Sequence, residues 1–386
     1  MNDTVYLDWA ATALPNAVEN FKALKVAEEH YANPSAQHAA GKTARDCLEK
    51  AREKIALLVG VKPQQIFFTS GGTESNQIAL MSNIAKPNFQ NSSIAVSSVE
   101  HPAISEEVKS LKKLACTVLT IPCDENGFVS PPSVLQTIRD DTAFVSVMTT
   151  NNEVGTIEPV TEIVQSLRNT AKRTVHVHSD AVQALGKNIF NIGSLGVDSL
   201  SMSAHKLGGM RGIGFLYLKR PGEVFNKGGS QERGIRAGTE NLAGILSLQY
   251  ALEKYHAQFN ENLEAAHKKM NYLITELSTL PDIVLIPKIR GSETAEKKNF
   301  SPYILQLAHK KIAGAVMQRA LSDAGIFVST GSACSSTKLS RPILQAMRVP
   351  KNLQQNAFRV SLGNSTSKDD LKRFLRTLTE VGKALS

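Results

Sequence analysis

The chain has 386 residues, 42% hydrophobic and 20% charged, the composition of a globular protein rather than a disordered or fibrous one. No apolar run reaches the ~18–20 residues needed to cross a bilayer, and residues 1–10 lack the charged-then-apolar pattern of a secretory signal. The net charge of +9 is scattered without a Lys/Arg block, so it reads first as a solvated basic surface, with an acidic partner or RNA as the alternative.

The expectation is therefore a cytoplasmic protein with no membrane contact and no direct nucleic-acid binding. The four cysteines, Cys47, Cys116, Cys123 and Cys334, include no CxxC pair, so zinc spacing is absent and no metal is expected. They are too few for a disulfide framework in a chain of this length. Cys47 and Cys116 fall in helical and apolar patterns and read as packing residues. Cys334 lies among small and polar residues, Gly331, Ser332, Ala333, Ser335 and Ser336, and reads as exposed on a loop.

In chain order, β-branched apolar runs predict strands over 65–69, 93–97, 117–121, 144–148, 175–178, 199–202 and 214–218. Helical patterns alternate with them over 43–59, 74–84, 104–114, 133–138, 160–173 and 239–255. This alternation predicts an α/β unit with a mostly parallel sheet and helices on both faces. A long amphipathic stretch over 242–280 leads out of it. The rest, with strands at 284–286, 326–329 and 357–361 and helices at 313–324 and 368–385, predicts a smaller α+β domain, and the polar 289–301 reads as a mobile loop. The expected division is a large domain, 14–255, and a small one, 1–13 with 256–386, carrying the Cys334 loop.

Ligands in open α/β sheets sit beyond the carboxyl ends of the strands, so the segments after each strand carry the candidate chemistry. Ser70-Gly71-Gly72-Thr73-Glu74-Ser75 offers close backbone approach and a helix start, which suits either a phosphate or a simple cap. Asp180, with Gln183 three residues on, is either an N-cap or the partner of a cationic ring nitrogen. Lys206 follows Ser203 and His205 and precedes four glycines, Gly208, Gly209, Gly212 and Gly214, which would leave room for a bulky group on its side chain. A lysine, an acid for a pyridine nitrogen and a phosphate cup are what pyridoxal phosphate requires. His101 follows another strand and could stack on such a ring, or be a capping or core histidine.

Ordered matches run nearly from end to end: Tyr6-Leu7-Asp8, Asn33-Pro34-Ser35, Thr69 to Asn76, Glu100-His101, Asn151 to Gly155, Asp180 with Gln183, Ser203 to Lys206, Glu232-Arg233-Gly234, Gly238 to Asn241, Gly331 to Cys334 and Arg359 to Gly363. On these the chain resembles the cysteine desulfurases of the NifS/IscS type, class V aminotransferases of the pyridoxal-phosphate fold type I.

The resemblance implies conversion of L-cysteine to L-alanine, with sulfur passed to Cys334 as a persulfide. Lys206 would carry the cofactor and His101 would stack on its ring. Asp180 would hold the pyridine nitrogen and Gln183 the phenolic oxygen. Gly72, Thr73, Ser203 and His205 would hold the phosphate, with Thr239 arriving from the second subunit of a homodimer. Asn152 and Arg359 would engage the substrate carboxylate. A sulfur-acceptor or scaffold protein is the implied partner, for iron–sulfur cluster assembly or tRNA thiolation. Selenocysteine lysis, another class V reaction and a non-catalytic scaffold are the competing readings. Two departures from the family pattern, Ala13-Leu14 near the start and Ser179 before Asp180, leave pocket detail open.

Overall fold

The structure, a computed structural model, describes residues 4–85, 89, 92–113, 116–172, 174–222, 224–225, 227–292, 299–331 and 341–385. Cys334 and residues 293–298 of the 289–301 loop lie outside them. The strands are β1 (Val5–Tyr6), β2 (Ile66–Thr69), β3 (Ser93–Ser97), β4 (Thr117–Ile121), β5 (Thr142–Ser146), β6 (His176–Asp180), β7 (Ser199–Ser203), β8 (Gly214–Leu218), β9 (Ile283–Ile286), β10 (Ile304–His309), β11 (Ile326–Phe327) and β12 (Ala357–Ser361). The longer helices are α1 (Ala17–Glu29), α2 (Ala39–Leu58), α3 (Gly72–Ile84), α4 (Pro102–Lys113), α5 (Pro131–Thr137), α6 (Val160–Thr170), α7 (Leu242–Ala257), α8 (Phe259–Ser278) and α9 (Gly314–Asp323). Two short helices, α10 (Pro342–Ala346) and α11 (Lys351–Asn356), precede α12 (Lys368–Leu385). No described helix is long and apolar enough to cross a membrane.

Seven strands form one sheet in the order β2-β8-β7-β6-β5-β3-β4. All neighbours are parallel except where β8 runs antiparallel to β2 and β7. The expected mostly parallel α/β sheet is therefore present. Strands such as β3 and β7 are buried along their whole length, as befits a sheet covered on both faces. A second, antiparallel sheet has the order β12-β10-β9, and β1 pairs with β11.

Each expected strand lies within two residues of an observed one, and the two-residue β1 was not expected. Central strand β10 was not expected, because Ile304–His309 is buried on both faces and shows no alternation to mark it. The 242–280 stretch is two helices, α7 and α8. Gln258 leaves helical geometry at φ −117° and ψ 19°, and Phe190 packs edge-on against both His256 and Phe259, each 5.0 Å away.

One buried ion pair ties the sheet edge to the segment before α7. Arg52 of α2 makes two 2.7 Å bonds to Glu232 and a third, of 2.9 Å, to the Ile66 carbonyl. Glu232 also accepts from the Phe68 N–H at 2.8 Å, and the guanidinium lies 4.6 Å from the Phe68 ring. Glu232 and Arg233 adopt positive φ, 45° and 56°, a conformation that non-glycine residues adopt at a cost and that this network holds in place. Removing one partner strands the other charge in the interior. Glu232→Ala should destabilise the fold by about 3–5 kcal/mol in denaturant titration; a loss under ~1 kcal/mol would show the pair to be incidental.

Candidate active site

The carboxyl ends of the parallel strands converge on a cavity of about 250 Å³. Each wall residue is set by a local device. Gly71, at φ +150°, turns the chain from β2 into α3, so Gly72 and Thr73 open the helix at the cavity. A Cβ on Gly72 would lie 2.5 Å from Val182 Cγ2, so only glycine fits this close approach. His101 follows β3, and its Nδ1 accepts from the Ala103 N–H at 3.1 Å, which leaves the hydrogen of the neutral ring on Nε2. Burial lowers the pKa of His101, so the neutral ring prevails. Asn152 follows Asn151, whose side-chain oxygen accepts from the N–H groups of Glu153 and Val154 at 2.8 and 3.0 Å.

Asp180 ends β6. Its Oδ1 accepts from the Val182 N–H at 2.9 Å and its Oδ2 from Asn76 Nδ2 at 2.7 Å. The Asn76 carbonyl oxygen faces His178 Nε2 at 3.0 Å, and His178 Nδ1 faces Ser199 Oγ at 2.8 Å. Burial pushes the pKa of His178 down to about 3, so its ring is neutral. With the ring donating from Nε2, the Asn76 amide is left one orientation, in which its NH₂ points at the carboxylate. Ser179 turns the other way and donates to the Val147 carbonyl at 2.7 Å; this departure from the family pattern is a buried packing residue.

Lys206 lies in a short 3₁₀ turn (Ala204–Leu207) after β7, and its amine donates to the carbonyls of Ala10 and Ala11 at 2.7 and 2.8 Å. Two of the four glycines after it, Gly208 and Gly214, do not make room for a ligand, whereas a Cβ on Gly212 would meet nothing within 4 Å. A Cβ on Gly208 would lie 2.7 Å from the Leu14 carbonyl oxygen, and one on Gly214 would lie 2.2 Å from that of Met202. These glycines let backbone segments pack against each other.

Gln183, Ser203, His205 and Arg359 complete the set of expected residues that line the cavity. Thr239 is exposed and does not line it. Cys334 lies outside the described residues, although Gly331, three positions earlier, is on the wall. Cys47, Cys116 and Cys123 are unpaired, do not line the cavity and have thiol pKa values raised by burial, which suppresses the thiolate.

Reading the sequence missed four contributors: Asn76, Val182, Asp8 and Lys187. Lys187 is 4% exposed and bonds the Gln183 side-chain oxygen at 3.4 Å. Burial, then Lys206 and Arg359, bring its pKa down to about 7. His205 falls to about 4 through burial, then through Lys206, Arg211 and Lys187. Arg359 Nε and Asn152 Oδ1 are buried without a hydrogen-bond partner. Lys206, Arg359 with its unspent Nε, and a helix start form a wall that suits a ligand with several negative charges, and Asp180 suits one cationic ring nitrogen. Pyridoxal phosphate fits this donor set. Among the described residues, no group of His, Cys, Asp and Glu is arranged to hold a metal.

The class-V aminotransferase family profile matches residues 5–374. A protein of Dictyoglomus turgidum named cysteine desulfurase IscS is 38% identical, over 99% of this chain and 95% of its own. A Methanosarcina thermophila protein of the same name is 34% identical, over 100% of this chain and 93% of its own. The chain belongs to the class V aminotransferase family, among the NifS/IscS-type cysteine desulfurases. A solved NifS-like protein superposes with a TM-score of 0.90 at 32% identity, covering 99% of this chain and 100% of that one. SspA, solved in complex with cysteine, gives 0.78 at 25% identity, covering 94% and 100%. Enzymes of this family depend on pyridoxal phosphate.

Asn76 orients the Asp180 carboxylate, which would face the ring nitrogen of a bound cofactor. Asn76→Ala would leave both Asp180 and His178 short of a partner. It should weaken pyridoxal phosphate binding about tenfold or more, measured by titrating the apoprotein. Unchanged affinity would remove Asn76 from this role.

Proposed function

We propose that this protein is a cysteine desulfurase that converts L-cysteine to L-alanine and leaves the sulfur on Cys334 as a persulfide. The observation that carries the reading is the meeting of Lys206, Asp180 and Arg359 around one cavity in a chain of this family. Lys206 would be the attachment point of pyridoxal phosphate. Gly72, Thr73, Ser203 and His205 would hold its phosphate, Asp180 its ring nitrogen and Gln183 its phenolic oxygen, with His101 against the ring. Bound there, the cofactor supplies an electron sink for the substrate's Cα.

The chain's own groups do the rest. Arg359 is buried and keeps Nε unspent, so it can grip the substrate carboxylate beside Asn152. That grip fixes which Cα bond faces the ring. The Lys206 amine, facing the same cavity, would move the Cα proton, and the neutral His101 carries a hydrogen on Nε2 for a second transfer. The Cys334 thiolate attacks the substrate sulfur. The new S–S bond forms as the Cβ–S bond breaks, and protonation of the carbon releases alanine.

We further propose a cytoplasmic homodimer in which Thr239 reaches the partner's cavity. Its exposure supports this, as do Val18 and Phe21 of α1, 78% and 71% exposed, apolar side chains that a second copy would cover. The division into 14–255 and 1–13 with 256–386 is supported by two separate apolar clusters, one containing Val145 and Leu200, the other Leu305 and Phe374. The sulfur would pass to an acceptor or scaffold protein serving iron–sulfur assembly or tRNA thiolation.

Mass spectrometry tests the reading directly. After incubation with L-cysteine the loaded protein should carry one extra sulfur atom on the peptide holding Cys334, and Cys334→Ser should carry none while still binding the substrate. Extra sulfur on Cys47, Cys116 or Cys123 instead would overturn the assignment.

A further inference from the structure

Arg359 sits on β12 with its side chain 3% exposed, so its charge is almost wholly removed from water. Two of its nitrogens are committed. Nη1 donates to the Asn152 carbonyl at 2.7 Å and Nη2 to Asp8 Oδ1 at 2.9 Å, while Nε has no partner. A long side chain tethered only at Cα would sample many orientations. A planar guanidinium pinned at two nitrogens is held in one plane, with a defined donor left over.

Asp8 is well placed for this task because its own backbone is stitched to the same strand. Asp8 bridges to Ser361, the Ser361 N–H donates to the Leu7 carbonyl at 2.7 Å, and the Leu7 N–H donates to the Phe327 carbonyl at 2.8 Å. Tyr6 adds a 3.2 Å bond from its hydroxyl to the Asp8 carbonyl. Asp8 does not itself line the cavity, whereas Arg359 does. The Arg359 charge is felt by Lys187, His101 and Arg341, whose proton affinities it lowers.

We propose that Asp8 is a positioning residue: it orients Arg359, through its bond to Nη2, so that the unspent Nε edge meets the substrate carboxylate. The inference rests on the reading of Arg359 as the carboxylate-binding residue. Asp8 acts through Arg359 and makes no contact with the reacting atoms.

The test uses the loaded enzyme and two non-reacting ligands followed by calorimetry, L-alanine and L-alaninamide, which lacks the carboxylate. Asp8→Ala should weaken L-alanine about tenfold and leave L-alaninamide unchanged. Asp8→Asn, whose side-chain oxygen still accepts from Nη2, should stay within about threefold of the native affinity. KM for L-cysteine should follow the L-alanine affinity while kcat changes little. If Asp8→Ala does not fold, Asp8→Ser against Asp8→Asn makes the same comparison. Unchanged L-alanine affinity, or an equal loss for both ligands, would overturn the proposal. Arg359→Ala separates the two claims: if it leaves L-alanine binding intact, the reading of Arg359 fails, and if it alone weakens that binding, only the role of Asp8 fails.

Discussion

Positive charge gathered out of water is the constraint around which this structure is arranged. Lys206 and Arg359 line the cavity and lower the proton affinity of the buried Lys187 behind it and of His101, and Lys206 and Lys187 help to keep His205 neutral. Such a cluster costs free energy unless anionic groups complete it. A phosphate and a substrate carboxylate would do so from the ligand side. Asp180 and Asp8 do so from the protein side, each fixed by a short hydrogen bond.

The fold produces this cluster by bringing distant segments to the same edge of one sheet. The turn after β2, the end of β6 and the turn after β7 lie together because β8 threads antiparallel between β2 and β7, while β6 lies parallel to β7. The antiparallel β12-β10-β9 sheet supplies Arg359 from the other side. The N-terminal segment then crosses between them. Its Ala10 carbonyl takes both the Lys206 amine and the Gln183 amide at 2.7 and 2.8 Å, and Asp8 takes Arg359. A few residues near the start of the chain therefore touch groups from every part of the site.

Much of this was legible in the sequence because the chemistry follows the strands directly. Lys206, Asp180, His101 and the Gly71-Gly72-Thr73 turn each stand at or just past a recognisable β-branched run. What stayed hidden depends on contacts between distant segments. Asn76 is an unremarkable position on α3 until β6 brings His178 and Asp180 beside it. Asp8 and Arg359 are 351 positions apart, and nothing local in either segment announces the pairing. Lys187 reads as a solvated lysine because burial leaves no mark on one residue's neighbours in sequence. Strand β10 escaped for a related reason, since a strand covered on both faces loses its alternation.

Lys206, rather than the more deeply buried Lys187 with its pKa down to about 7, would be the amine that holds the cofactor. Reducing the protein with borohydride after loading with pyridoxal phosphate would fix the cofactor to whichever amine carries it, and peptide mapping would read out the position. The cofactor mass on the peptide containing Lys206 is the predicted result; the same mass on Lys187, or on no cavity lysine, would contradict it.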